Sequence, residues 1–256
     1  MTNNGRQVSG NTRGQRGFSL LEMMMVVLIL SVVTGIVVKG LSQLQVRNNV
    51  ETSNLDLTQE TRSFMDQLVR DLHETGYPTT TMFTTGTIND ATVAVGLVKV
   101  TPNLIQYEGD LDGTGQVQSV TVQLVTGAGG ACPCTLQRGA VLKATGSPLT
   151  QAAPTFYIAA ENVINSNSVY AISGNTPRGT TNDSVFAVYK PAPVFAAFDV
   201  HGNPITLPLD ISTVGPPNIK SIKTITITVS VLSPNIDLEQ RTAPVISMQS
   251  EVKINN

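Results

Sequence analysis

The chain has 256 residues, a formal net charge of −2, two cysteines, no tryptophan and only 13% charged side chains. Balanced and sparse charge removes the electrostatic basis for nucleic-acid binding, and the few aromatics leave little for a stacking platform or an aromatic cage. The length suits one sizeable domain or two small ones.

Residues 1–17 are polar and carry Arg6, Arg13 and Arg16 with no acid. Of the 21 residues from Phe18 to Val38, only Ser19, Glu22, Ser31, Thr34 and Gly35 are not apolar. A helix of that length rises about 31 Å, close to the roughly 30 Å of a hydrocarbon core. Arginines on one side of it keep that side cytoplasmic. A secretory signal has a shorter apolar region, followed by small residues at a cleavage site; here the run is too long and Thr34-Gly35 is a poor substitute. A plain anchor explains the length but not Glu22, whose burial at mid-bilayer costs roughly 2.5–3.5 kcal/mol or more.

The combination G-F-S-L-L-E plus an apolar run, residues 17–38, resembles the cleavage and assembly signal of type IV prepilins and of type II secretion pseudopilins. The resemblance implies a membrane peptidase that cuts between Gly17 and Phe18 and methylates the new amino terminus. It also implies that Glu22, fifth in the mature chain, neutralises the terminal amine of a neighbouring subunit. Residues 1–17 are then a removable leader, leaving 13 basic against 18 acidic residues, about −5.

Beyond the apolar run a helical pattern persists. Val46, Val50, Leu57, Phe64, Leu68 and Leu72 recur at spacings of four or seven, a stripe on one helix face. Glu51, Asp56, Glu60, Arg62, Asp66, Arg70 and Asp71 are read onto the opposite face. Gly76 and Pro78 end the pattern. The expected division is therefore a leader (1–17), a transmembrane then amphipathic helix (18–76) and a β-rich head (77–256).

In the head, short alternating runs between turn signals predict strands at 92–100, 104–108, 117–125, 141–143, 169–172, 185–189, 194–199 and 222–232. The last alternates strictly from Ile225, which reads as a half-buried antiparallel strand with a threonine-rich outer face. Residues 79–87 and 173–183 read as flexible loops. The predicted fold is α+β and pilin-like, one long helix packed on an antiparallel sheet. Residues 69–77, V-R-D-L-H-E-T-G-Y, are similar to the helix end of larger minor pilins of the PilW type and of J-type pseudopilins. The Y-E-G-D-L-D-G-T-G stretch, F-D-V-H-G-N-P and the final S-E-V-K-I-N-N, where such chains end in a strand, fit the same group.

Asp110, Asp112, Thr114 and Gly115 resemble the start of a calcium loop, but its twelfth position is Thr121 rather than a bidentate glutamate. A polar hairpin turn is the favoured reading, so no cofactor is expected, with calcium the alternative. Cys132 and Cys134, one residue apart, are expected to pair in an oxidising compartment, the alternatives being a free dithiol or a metal site. Zinc would need two more ligands, and His73 and His201 are remote in sequence. No G-x-S-x-G, H-E-x-x-H or phosphate loop is present, so an enzyme is not expected.

The functional expectation is a minor pilin or pseudopilin in the tip or initiation complex of a pilus or secretion pseudopilus. Its partners would be the prepilin peptidase, other pilins and an inner-membrane assembly platform, with the head in the periplasm until assembly. The alternative is a tip binding module, an adhesin or DNA-uptake subunit using loops such as 128–134 or 173–183.

Overall fold

A computed structural model describes residues 18–127, 132, 134–165, 192–234 and 245–254. Helix α1 runs Leu20–Glu74. Its residues fall into two compact units, one up to Val46 and one from Arg47 to the end of the chain. In the first unit α1 has almost all of its side chains exposed. In the second it packs on the head through buried Val50, Leu57, Phe64, Met65, Leu68 and Leu72. Gly76 then adopts φ +87°, the left-handed geometry that ends helices at glycine.

Among the described residues ten strands form one antiparallel sheet. They are β1 (Leu97–Thr101), β2 (Leu104–Gly109), β3 (Gln118–Val125), β4 (Cys134–Leu142), β5 (Thr155–Val163), β6 (Phe195–Phe198), β7 (Pro204–Ile205), β8 (Leu209–Asp210), β9 (Thr224–Leu232) and β10 (Val245–Lys253). The order is β7-β6-β9-β5-β4-β3-β2-β1-β8, with β10 along β9. Strands β1 to β5 form a meander. It meets β9 at one residue pair, Val163 with Val231, and at its other edge β1 pairs with β8.

Asn165 reinforces the pairing with β9. Its side chain is buried and donates from Nδ2 to Ala192 O at 3.0 Å and Thr228 O at 2.9 Å. Its Oδ1 accepts from the Ser230 N–H at 2.7 Å. The amide thus continues along β9 the ladder that β5 has left, satisfying groups that burial would otherwise leave unpaired.

The long helix and the antiparallel head agree with the expected α+β, pilin-like fold. Several strand expectations need correction. The run at 92–100 is a strand only from Leu97, and 141–143 is the tail of β4, which begins at Cys134. Strands β5, β7 and β8 were not expected, while 169–172 and 185–189 lie outside the described residues. Nor is β9 half-buried. Thr226 and Ser230 on its supposed outer face are buried, with Glu251 and Ser247 of β10 directly opposite them in the register.

Asp71 is the main correction on the helix. It does not face solvent with its charged neighbours but is buried. Its Oδ2 accepts from the Tyr107 hydroxyl at 2.8 Å and from Arg138 Nε at 3.1 Å and Nη2 at 2.6 Å. Arg138 Nη1 donates in turn to the Tyr157 hydroxyl at 2.7 Å. Burial, then the neighbouring Asp71 charge, holds the Tyr107 phenol well above the usual tyrosine range. On the opposite face of the same strand, Glu108 Oε2 accepts from Lys143 Nζ at 2.7 Å, and both side chains are fully buried. Burial raises the Glu108 carboxyl above the ordinary carboxylate range, although Lys143 and the Val95 N–H pull it back. Consecutive residues of β2 therefore fasten the helix to one side of the sheet and the segment around residues 88–95 to the other.

Candidate assembly site on the N-terminal helix

The helix of the first unit carries almost wholly exposed side chains. Phe18 is 77% exposed, and Leu20, Leu21, Met23 to Leu30, Val32, Val33 and Ile36 to Val38 are all exposed. The stretch is long and apolar enough to cross a membrane.

Its polar groups are satisfied locally, with one exception. The Ser31 hydroxyl donates to Leu28 O and the Thr34 hydroxyl to Leu30 O, both at 2.8 Å. Such back-bonding is how hydroxyls are accommodated where water is absent. Ser19 O accepts from the Glu22 and Met23 N–H groups, so the helix begins at Leu20, directly after Ser19. The Glu22 carboxylate lies in the first turn of α1 and is the only ionisable side chain between Phe18 and Val38. Among the described residues none forms an ion pair with it. At a helix N-terminus a carboxylate is favoured by the dipole, but in lipid it still needs a cation from outside the helix. Gly17 lies outside the described residues.

Residues 12–38 match the family model of the prokaryotic N-terminal methylation motif. The chain carries a prepilin-type N-terminus. That motif supports a structural subunit of the type IV pilin and pseudopilin family, and it implies processing by a prepilin peptidase and assembly with other pilins. Together with the exposed apolar helix, the prepilin-type motif supports anchoring in a membrane. No curated protein and no solved structure is significantly similar to the chain.

The remaining candidate residues are scattered. Asp112 Oδ1 accepts from the Thr114 N–H and hydroxyl, its Oδ2 from Gln118 Nε2, and Asp110 Oδ2 from the Gly115 N–H. Three of the four carboxylate oxygens accept hydrogen bonds in this way, while Asp110 Oδ1 is buried without a partner among the described residues. Thr121 lies within β3, paired with Gln106. The loop is thus a hydrogen-bonded turn between β2 and β3, with Gly113 and Gly115 at positive φ. Among the described residues no group of three or more His, Cys, Asp or Glu could hold a metal ion.

Cys132 and Cys134 form a disulfide at the start of β4, with Cα atoms 4.4 Å apart. His73 is exposed on the helix, and His201 Nδ1 lies 3.9 Å from Asp199 Oδ2 in an exposed turn. The residues that sequence reasoning missed are the two buried ion pairs, Asp71–Arg138 and Glu108–Lys143. Their partners are 67 and 35 positions apart, and nothing local marks them.

Proposed function

We propose that the protein is a minor pilin or pseudopilin, a structural subunit in or near the tip of a type IV pilus or secretion pseudopilus. The observation that supports this reading is the lone carboxylate of Glu22 inside the methylation motif, on a helix face that is apolar and exposed. The peptidase cuts after Gly17 and Phe18 receives the methyl group. The freed amine of a neighbouring subunit then meets Glu22 as the helices pack. An amine and a carboxylate that are each costly in lipid become tolerable as a pair. Packing itself comes from the close fit of apolar helices, and the head sets the contacts with adjoining subunits. Before assembly the head faces the periplasm, because the arginine-rich leader stays cytoplasmic.

Substitution of Glu22 tests the pairing. Glu22→Val keeps the helix apolar and removes the charge, leaving the neighbour's amine unpaired. Incorporation into filaments is expected to fall by about tenfold or more, the equivalent of roughly 1.4 kcal/mol, with the level of processed chain in the membrane unchanged. Equal incorporation of Glu22→Val and the parent chain, measured by immunoblot of sheared filaments, would remove the assembly role.

A further inference from the structure

The disulfide at the start of β4 stands where a cross-link contributes least to the fold as a whole. Cys132 and Cys134 are two positions apart, and the restriction that a disulfide places on an unfolded chain grows with the loop it closes. This one ties no two elements of the head together. Both cysteines are nevertheless buried, in the same core as Leu136, Ala160, Val163 and Val231. Whatever the bond does is therefore done locally, through the side chains packed around it.

Those side chains form the seam between the meander and β9. Cys134 pairs with Val163 of β5, and Val163 pairs with Val231 of β9. The ladder is irregular on both strands of the meander here. The β4–β5 register shifts between Cys134 and Leu136, and Asn162, next to Val163, sits at φ +55°, a region that residues with a Cβ seldom enter. Just past the pair, the Ile164 N–H donates to Ser230 O at 2.8 Å, and the Asn165 side chain continues along β9. By contrast β2 and β3 pair over six residues without a shift. Segments joined by few backbone bonds open more readily than their surroundings.

We infer that the Cys132–Cys134 disulfide is a redox-sensitive latch on this seam: oxidised, it holds the meander against β9, and reduced, it lets the two part. A small dithiol supplies the two electrons and two protons. The S–S bond breaks, each sulfur becomes a thiol, and the dithiol closes into its own cyclic disulfide. Cys132, which precedes β4, is then tied to the strand by the backbone alone and can leave the core. A packed interior tolerates such a vacancy poorly, and the row Cys134–Val163–Val231 borders it. The coupling is reciprocal. A closed seam keeps the buried sulfurs from an attacking thiolate, and an opened one admits it. Where thiols are kept oxidised the seam is closed, and where a dithiol is in excess it is open. None of this depends on the pilin-type reading of the N-terminal helix.

Hydrogen exchange followed by mass spectrometry, on the detergent-solubilised full-length chain before and after dithiothreitol, tests the latch. Reduction is expected to speed exchange in peptides covering residues 163–165 and 228–231 by about tenfold or more, with β2 and β3 unchanged. The double variant Cys132→Ala with Cys134→Ala has no sulfur to oxidise and should exchange like the reduced chain, so it reports the open seam even where dithiothreitol does not reach the buried bond. Equal protection of the seam in the oxidised chain and the double variant would overturn the inference. So would loss of protection through β2 and β3 together with the seam, in the reduced chain or the variant, because the disulfide would then support the whole fold rather than one seam.

Discussion

Arg138→Ala is expected to destabilise the head by about 3–5 kcal/mol, the usual consequence of removing one member of a buried ion pair. In the native head the Asp71 side chain is only 10% exposed, as is that of Arg138. Without the guanidinium, Asp71 Oδ2 loses two of its three donors and keeps the Tyr107 hydroxyl alone. The Tyr157 hydroxyl loses its partner as well. Arg138→Lys should recover only part of the loss, because a single ammonium cannot reproduce a guanidinium that bonds Asp71 through two nitrogens and Tyr157 through a third. Urea denaturation of the detergent-solubilised protein, followed by tyrosine fluorescence, measures both changes. A loss below about 1 kcal/mol, the range of exposed pairs, would mean that the pair does not fasten the helix to the sheet.

Lys143→Met is expected to cost a similar 3–5 kcal/mol at neutral pH, and its signature is pH. The substitution leaves Glu108 buried with the Val95 N–H as its remaining partner. Burial already holds the Glu108 carboxyl above the ordinary carboxylate range. An acid whose folded-state pKa is raised binds its proton more readily in the folded state. Its favourable contribution is therefore complete below the usual carboxylate pKa and is lost as pH rises through the folded value. Removing the lysine widens that window, so the deficit should shrink at about pH 4 and grow toward pH 7. Replacing both residues, Glu108→Leu with Lys143→Met, should recover much of the stability, since a buried pair often exchanges for apolar side chains at little cost. An equal deficit for Lys143→Met at the two pH values would show that the lysine acts through packing rather than charge.

What the sequence revealed follows the range of the physics that shaped each part. The N-terminal signal is local, a glycine, a carboxylate and an apolar run, so its residues can be read without neighbours. The helix was legible because its apolar stripe repeats at helical spacing and Gly76 and Pro78 close it. Strands β2, β3 and β9 showed alternation. Strand β4 did not, because Gln137-Arg138-Gly139 breaks its apolar pattern. Arg138 belongs in a strand interior only because Asp71 on the helix neutralises it, and Gly139 because Pro154 packs where a Cβ would stand. Strand β5 contains Ala159-Ala160-Glu161-Asn162, a stretch with no strand preference of its own, and is a strand through its pairing with β4. Asp71 was placed on the wrong face because a charged residue beside Arg70 reads as solvated until a partner far away in sequence is known.

The most direct measurement is the amino terminus of the native chain, obtained by intact-mass and tandem mass spectrometry of protein extracted from membranes that contain an active prepilin peptidase. The pilin-type account expects a chain that starts at N-methylated Phe18 and has lost residues 1–17. A chain that still starts at Met1 under those conditions would contradict it.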